Sequence, residues 1–424
     1  MDNKIINYEN ELELINIFKK LIRIDTTNPP GNELAAIKSI KKILDMEKIN
    51  SQIIMSSENR GNLIAEIKGK KTNKKPIILL SHIDVVKASK SWKFPAFKAH
   101  EENGYIYGRG ALDTKNLTAT EIMIMILISR NNIELDRDII LIVSADEENG
   151  SKYGMDFIRK NYPSFIKDGI VISEGGGFII ENKDEVFRII TAGEKGSCTI
   201  KFETYGKSGH PSSPPKEQAL LIMNEVISRI LDFELKNKST SAAKFFKKII
   251  GEDIDNKTVK DLYEYINNNS VTVKKLDVGK SINVIQKKVE CEVEIRFLPV
   301  FTKKEISNKI EEILKGLNVN WEIINFEEGY QSDFNNKFIK ILEKNSIKYG
   351  EKAKLVPIIA LGRTDGRFMK GSIYGFTPVL SDLPFEEVLK KVHNIDECIS
   401  IESLKFGLKV LYESILEINN YKGW

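Results

Sequence analysis

Residues that could bind metal ions or move protons stand at the ends of apolar segments of this chain. The segment IILLSHIDVV carries His82 and Asp84, two positions apart. Side chains at positions i and i+2 of a strand point to the same face, so Asp84 can hold the imidazole of His82 in the tautomer that a metal requires. A strand-end histidine hydrogen-bonded to a neighbouring aspartate explains the pair without a metal, so residues elsewhere must decide.

Further carboxylates and a histidine occur in similar contexts. In YGRGALDTK, Asp113 follows a glycine-rich turn and precedes a helix, where it could bridge two cations or serve as an N-cap. The strand DIILIVS leads into adjacent Glu147 and Glu148, whose side chains must diverge, so that one could bind metal while the other moves protons. Glu174 ends a third apolar strand, and His393 in VHNIDE stands before the last helix.

These candidate ligands share nitrogen or oxygen donors and include no thiolate; they are His82, Asp113, Glu148, Glu174 and His393. Such a set is typical of a catalytic pair of zinc ions with open positions. Two Zn²⁺ ions bring four positive charges, which three carboxylates and one hydroxide balance. Glu147 is then not required as a ligand and can act as the general base. Each motif alone is weak, so the prediction depends on their joint arrival at successive strand ends.

The order of apolar segments predicts two kinds of domain. Strands alternate with helices in the first part of the chain, which is typical of an α/β sheet with its chemistry at the strand ends. From about Lys195 the order β-α-β-β-α-β predicts a small two-layer domain inserted into the first. A stretch rich in lysine and asparagine interrupts this order as a helical insertion. The predicted limits are 1–194 and 329–424 for the catalytic domain, 195–328 for the inserted lid and 233–270 for the insertion.

Composition restricts the partners and the compartment. Lys and Arg total 64 against 60 for Asp and Glu among 424 residues, so the net charge of +4 carries no signature of nucleic-acid binding. Three widely spaced cysteines argue against a disulfide framework or a thiolate zinc site. The start lacks a signal-peptide h-region, and the longest apolar run, IMIMILI, is too short to span a bilayer. We therefore expect a cytoplasmic protein, without membrane or nucleic-acid partners, that acts on a small molecule.

The motifs together resemble one enzyme family. The chain is similar nearly end to end to the di-zinc metallopeptidases that include acetylornithine deacetylase, succinyl-diaminopimelate desuccinylase, aminoacylase and glutamate carboxypeptidase. The resemblance rests on SHIDVV, GRGALDTK, DEENGS, SEGGG, GKSGHPSSPP, INVIQ, GRTDGR and HNIDE, in the family's order. It implies a mixed sheet flanked by helices, with the lid inserted. The insertion and the context of INVIQ look most like the carboxypeptidase S branch, whose members act on N-acyl amino acids or C-terminal residues.

The resemblance also implies roles at the metal centre. One zinc would be held by His82, Glu174 and bridging Asp113, and the other by Asp113, Glu148 and His393. Asp84 would orient His82. Glu147 would deprotonate the water that attacks an amide carbonyl and pass the proton to the leaving nitrogen. Two Zn²⁺ ions per chain are expected, with Co²⁺ or Mn²⁺ as substitutes, while His100 matches no metal motif.

Lid residues would bind the substrate in relatives of this kind. His210 of GKSGH matches a donor to the carbonyl oxygen, often supplied across a dimer interface, so a homodimer through the lid is one expectation. Asn283, Arg296 and Thr364 match positions that recognise the substrate carboxylate. Arg363 stands where many relatives have glycine, which leaves the substrate class open.

Three functions are compatible with these residues. The first is a zinc-dependent amidohydrolase or carboxypeptidase acting on a small substrate or short peptide with a free carboxylate. The second is a di-zinc aminopeptidase, which needs a pocket for a free amine. Arg296 favours the first function, because a guanidinium can bind the substrate carboxylate. The third is a non-catalytic metabolite- or peptide-binding protein on the same fold. Loss of the base or of a ligand would indicate that third function, but Glu147 and all five candidate ligands are present.

Overall fold

The chain forms two compact units. The computed structural model describes residues 6–71, 73–235 and 238–422. The first unit comprises the residues up to Ala192, Phe245–Lys260 and the residues from Ser332 onward. The second unit comprises Gly193–Lys244 and Asp261–Gln331. Residues 245–260, which belong to the predicted insertion, therefore group with the first unit. The predicted domain boundaries at 194 and 328 stay a prediction.

Helices and strands account for most of the described residues. The α-helices, in chain order, are α1 (Tyr8–Ile22), α2 (Leu34–Met46), α3 (Lys115–Arg130), α4 (Met155–Asn161), α5 (Ala219–Leu231), α6 (Ser241–Ile250), α7 (Lys257–Asn267), α8 (Lys303–Leu314), α9 (Lys337–Tyr349), α10 (Phe385–Lys391) and α11 (Ile401–Asn419). None of the helices in the described ranges is both long enough and apolar enough to cross a membrane.

The strands follow the same numbering along the chain. They are β1 (Asn50–Ser57), β2 (Arg60–Ile67), β3 (Ile77–His82), β4 (His100–Glu102), β5 (Tyr105–Tyr107), β6 (Ile139–Ser144), β7 (Asp168–Ser173), β8 (Ile179–Asn182), β9 (Glu185–Glu194), β10 (Gly196–Tyr205), β11 (Ser270–Asp277), β12 (Lys288–Phe297), β13 (Val319–Glu327), β14 (Tyr330–Gln331), β15 (Lys354–Ala360), β16 (Lys370–Gly375) and β17 (Cys398–Ser400).

A mixed sheet forms the centre of the first unit. Its strands follow the order β1-β2-β6-β3-β7-β16-β9, and the neighbours β6, β3, β7 and β16 run parallel. Every residue of β3 and β6 is buried, as expected of parallel strands covered on both faces. Because parallel strands end at the same edge, the residues that follow β3, β6 and β7 are brought together.

The second unit has two layers. Its antiparallel sheet has the order β11-β12-β10-β13. Alternate residues of β10 and β12 point toward α5 and α8, as the two-residue period of a strand requires. The buried set includes Cys198, Ile200, Phe202, Cys291, Val293 and Ile295 from the strands, and Met223, Val226, Ile306 and Ile310 from the helices. The predicted fold class, a mixed sheet flanked by helices with a two-layer β-α-β-β-α-β domain, is confirmed.

Candidate metal centre

Three strand ends deliver polar side chains to one edge of the central sheet. His82 is the last residue of β3, and its parallel partner in β6 is Ser144. The chain continues from β6 into a short 3-10 turn that begins at Glu147. Glu174 directly follows the last residue of β7. The parallel register of these strands therefore places an imidazole and carboxylates together, as the sequence predicted.

Asp113 lies between the two histidines of this cluster. Its Oδ1 is 3.0 Å from Nε2 of His82, and its Oδ2 is 3.1 Å from Nε2 of His393. The same nitrogen of His82 is 3.2 Å from Oε2 of Glu174, and that of His393 is 3.1 Å from Oε2 of Glu148. Each histidine thus faces one oxygen of Asp113, which the two histidines share. Each also faces one further carboxylate, Glu174 for His82 and Glu148 for His393.

The donor set fits two divalent ions. Ligand atoms of His82, Asp113 and Glu148 lie within 4.8 Å of one another, and the same is true of His82, Glu147 and Glu174. Oε1 of Glu148 is buried without a hydrogen-bond partner among the described residues. A buried, unpartnered carboxylate oxygen is costly unless a cation or proton meets it. Glu147 is also close enough to be a ligand, so distance alone does not separate its role from that of Glu148.

Mutual pairing shifts the protonation of both histidines. Asp113 and Glu148 raise the pKa of His393 to about 10. Burial disfavours the charged form of His82, but Glu174, Asp113 and Asp84 raise its pKa well above the usual value. Burial likewise disfavours ionised Asp113, yet the two histidines bring its pKa far below the usual value. Metal cations that bind to this cluster would therefore displace the protons of its histidines.

The pKa values of the three glutamates of the centre are raised, in contrast to that of Asp113. Burial raises the pKa of Glu174 to about 7. Burial and the nearby charge of Glu174 raise the pKa of Glu147 well above its usual value. Burial also raises the pKa of Glu148. Several carboxylates enclosed in one buried site cannot all stay ionised without added positive charge.

Asp84 contacts His82 through both its backbone and its side chain. Nδ1 of His82 donates to the backbone carbonyl oxygen of Asp84 at 3.0 Å, while the nearest carboxylate oxygen, Oδ1, is 3.5 Å away. The carboxylate also accepts the backbone N–H groups of Glu147 and Glu148, at 3.1 and 3.2 Å. Asp84 therefore contacts the acidic turn through its carboxylate and the histidine through its backbone carbonyl, with the carboxylate 3.5 Å from the same ring nitrogen. Its role in orienting His82 stays a prediction.

The backbone of the Asp113 loop binds a carboxylate that was not predicted from the sequence. Glu397 is fully buried and accepts four hydrogen bonds, from Nη1 of Arg109 at 2.7 Å and from the N–H groups of Gly110, Leu112 and Asp113. It stands four residues after His393 and so ties the segments of two candidate ligands together. The signal available in the sequence was the final glutamate of HNIDE.

A second missed group lies beside Glu147. The guanidinium of Arg367 is 4.0 Å from Oε1 of Glu147, and both side chains are largely buried. Asp365, two residues earlier, accepts hydrogen bonds from Ser144 and Ser151, at 2.6 and 2.5 Å. The signal in the sequence was the end of the GRTDGR motif, which contains both residues.

The remaining predicted site residues are divided between the units. Thr364 belongs to the first unit, is buried, and accepts Nη1 of Arg367 through its carbonyl oxygen at 2.6 Å. His210 and Asn283 are exposed in the second unit, on two loops that a bridge between Gly209 and Ile285 brings side by side. Arg296, in the same unit, is half-buried. His100, for which no metal role was expected, lies outside the cluster and stacks on Phe94.

Comparison with known proteins decides the family. The model described as Peptidase family M20/M25/M40 matches residues 78–417, a range that includes every candidate ligand. The chain belongs to peptidase family M20/M25/M40. The resemblance drawn from the motifs, and the predicted class of metallopeptidase or amidohydrolase, are therefore confirmed.

Relatives within M20/M25/M40 match over most of their length. The chain is 26% identical over 382 residues to the probable succinyl-diaminopimelate desuccinylase of Staphylococcus aureus strain MSSA476, covering 85% of this chain and 87% of the relative. It is 24% identical over 435 residues to the N-fatty-acyl-amino acid synthase/hydrolase PM20D1 of Xenopus tropicalis, covering 93% and 83%. The solved M20 family metallo-carboxypeptidase Sso-CP2 from Sulfolobus solfataricus has the same fold, with a TM-score of 0.70, 18% identity and coverage of 97% and 99%.

Proposed function

We propose that this member of M20/M25/M40 hydrolyses the amide bond of N-acyl amino acids, or of a C-terminal residue in short peptides. The observation that carries the proposal is the carboxylate of Asp113, which presents one oxygen to each histidine of the cluster. A carboxylate shared in this way suits a site for two divalent cations, here proposed as zinc. The two proposed ligand sets are His82, Asp113 and Glu174, and Asp113, Glu148 and His393.

Glu147 is the proposed general base. When bound, the two ions would lower the pKa of a water molecule and polarise the amide carbonyl. Glu147 lies within the cluster, with a carboxylate oxygen within 4.8 Å of ligand atoms of His82 and Glu174. Burial and the charge of Glu174 raise the pKa of Glu147. A carboxylate with a raised pKa suits a group that takes a proton from water and passes it to the leaving nitrogen.

Substrate recognition is proposed for the guanidinium of Arg296, together with Asn283 and Thr364. Arg296 is half-buried, and its Nε is 2.6 Å from the neighbouring Glu294 of the same strand. A guanidinium keeps donors free beyond one such pair and can bind a carboxylate through them. His210 is the proposed donor to the carbonyl oxygen of the scissile bond. The names of the relatives support a substrate of this class, since they refer to a succinyl group, N-fatty-acyl amino acids and a carboxypeptidase.

A substrate screen tests the proposal directly. The metal-free protein is loaded separately with zinc, cobalt and manganese, and assayed on N-acetyl, N-succinyl and long-chain N-acyl amino acids and on dipeptides. The matched controls are the α-amides of the same compounds, together with amino-acid amides that carry a free amine. We expect turnover of compounds with a free α-carboxylate to be much faster than turnover of their amides. Turnover confined to compounds with a free amine would instead identify an aminopeptidase, and metal binding without any turnover would identify a binding protein.

A further inference from the structure

A buried amide side chain joins the two carboxylates behind the candidate metal centre. Asn28 is 3% exposed and lies in the loop between α1 and α2. Its Nδ2 donates to Oδ2 of Asp84 at 2.8 Å and to Oδ1 of Asp146 at 2.9 Å. Both aspartates are buried as well. The two hydrogens of one amide nitrogen therefore hold together two acidic groups from two different strand ends.

Each of these carboxylates is tied to the residues that the proposed function uses. The side chain of Asp84 accepts the backbone N–H groups of Glu147 and Glu148, and its carbonyl oxygen accepts Nδ1 of His82. Asp146 directly precedes Glu147 and enters the acidic turn with φ of 65°. Its other oxygen, Oδ2, accepts the N–H of Tyr153 at 2.9 Å, beyond that turn.

Asp84 and Asp146 differ in their cationic partners. Asp146 has a cationic partner, because Nη2 of Arg60 lies 2.9 Å from its Oδ1, and Arg60 is also paired with Glu33. Among the described residues, Asp84 forms no ion pair with a lysine or arginine within 4 Å, and the charges of Arg60 and Lys115 act on it only from a longer distance. Two ionised carboxylates this close to each other repel, and the shared amide donor offsets part of the repulsion. Removal of the amide leaves that repulsion uncompensated.

We propose that Asn28 is a positioning residue of the metal centre, which sets the Glu147–Glu148 turn at a defined distance from the His82 end of β3. The proposal rests on the proposed function for the roles of those three residues. Asn28 contacts neither substrate nor metal and acts through Asp84 and Asp146. Its own backbone N–H donates to Val85 at 2.9 Å, so a change of side chain leaves this anchor of the loop intact.

The test compares two buried asparagines. Asn345 in α9 is also fully buried, donates through Nδ2 to Ser414 at 3.1 Å, and has an Oδ1 without a partner, as Asn28 has. It lies outside the metal centre. Asn28→Ala and the control Asn345→Ala are compared with the wild type by kcat and KM, by cobalt stoichiometry, and by the visible absorption spectrum of the cobalt-loaded protein.

We expect Asn28→Ala to lower kcat about 10- to 100-fold with KM within twofold, and to change the cobalt spectrum, because outer-shell partners of metal ligands typically have effects of this size. Asn345→Ala should change only the resistance to unfolding. Asn28→Gln, which keeps an amide donor, should restore part of kcat and of the spectrum. If Asn28→Ala does not fold, Asn28→Gln and Asn28→Ser are compared with the wild type by the same measurements, and Asn28→Ser should resemble the expected alanine variant.

Two outcomes separate the failure of this proposal from the failure of the proposed function. If the wild type is active and every Asn28 variant has the same kcat and the same cobalt spectrum as the wild type, the positioning role is overturned. A wild type that binds cobalt but hydrolyses none of the substrates would overturn the proposed function, while the spectra of the variants would still decide the role of Asn28.

Discussion

Arg367 presents its guanidinium to the carboxylate of Glu147 at a distance of 4.0 Å. Its position is set by other contacts, since Nη1 donates to the carbonyl oxygen of Thr364 at 2.6 Å and Nη2 to Oγ of Ser151 at 3.1 Å. The ring of Phe368 lies 4.4 Å from the guanidinium carbon. A cation held in this way stabilises the charged form of the proposed base.

Replacement of Arg367 by Met should therefore reduce turnover while both metal ions stay bound. Loss of a largely buried positive charge about 4 Å from Glu147 should lower the fraction of Glu147 that is ionised and able to accept a proton. A cost of roughly 1–2 kcal/mol for ionising the base corresponds to about 5- to 30-fold in kcat. Arg159→Met is the matched control, because Arg159 also lies over the ring of Phe368, at 5.5 Å, but pairs with Asp156 on the surface. Equal kinetics for the two variants would show that Arg367 does not act on Glu147.

Exchange of each adjacent glutamate for glutamine should separate the base from the ligand. Glu147→Gln should keep both metals and lower kcat by about 10²- to 10⁴-fold, because an amide cannot accept the proton of the attacking water. Glu148→Gln should weaken metal binding itself, since Oε2 of Glu148 faces Nε2 of His393 at 3.1 Å. Metal content after dialysis and single-turnover rates distinguish the two variants. Reversed phenotypes would exchange the proposed roles.

The fully active protein should contain about two divalent ions per chain, because Asp113 is shared and two further ligands remain on each side. Removal of metal by a chelator should abolish activity, and added zinc or cobalt should restore it. Elemental analysis of a titrated preparation gives the stoichiometry. Full activity with no bound metal would refute the proposed mechanism, and saturation at one ion would restrict it to a single site.

Metal binding should release protons at neutral pH. Asp113 and Glu148 raise the pKa of His393 to about 10, so this imidazole carries a proton at pH 7 in the metal-free protein, and a metal must displace it. Apparent metal affinity should therefore rise with pH and level off near pH 10. Titration calorimetry at pH 7 in buffers of different ionisation enthalpy measures the number of protons released. Identical enthalpies in all buffers would contradict this protonation state.

Arg296→Met should impair hydrolysis of substrates with a free α-carboxylate more than hydrolysis of their amides. A hydrogen bond to a charged group contributes about 1.5–3 kcal/mol, which corresponds to about 10- to 150-fold in kcat/KM. Arg229→Met is the control, because Arg229 is similarly exposed in the same unit and pairs with Glu225 at 2.7 Å. Equal losses of kcat/KM for acid and amide substrates would show that Arg296 does not bind the substrate carboxylate.

The candidate ligands could be found in the sequence because the relevant pattern is local. An apolar strand that ends in a polar residue is visible in a few consecutive letters, and the parallel register then brings His82, Glu147 and Glu174 to one edge. The order of strands and helices also predicted the second unit, since the period of two along β10 and β12 is a property of adjacent residues. The local context also indicated Asp113, Glu148 and His393, and the family resemblance added the division of the five ligands between two ions.

The contacts that surround these ligands were decided only by the tertiary structure. Asn28 meets carboxylates 56 and 118 positions away, and Glu397 accepts the N–H of Asp113 from 284 positions away. No periodicity relates such positions, because the partner of a buried polar group depends on which distant segments pack together. For the same reason, the sequence placed a carboxylate at Asp84 but could not show that it would bind the Glu147–Glu148 turn, while its carbonyl oxygen binds His82.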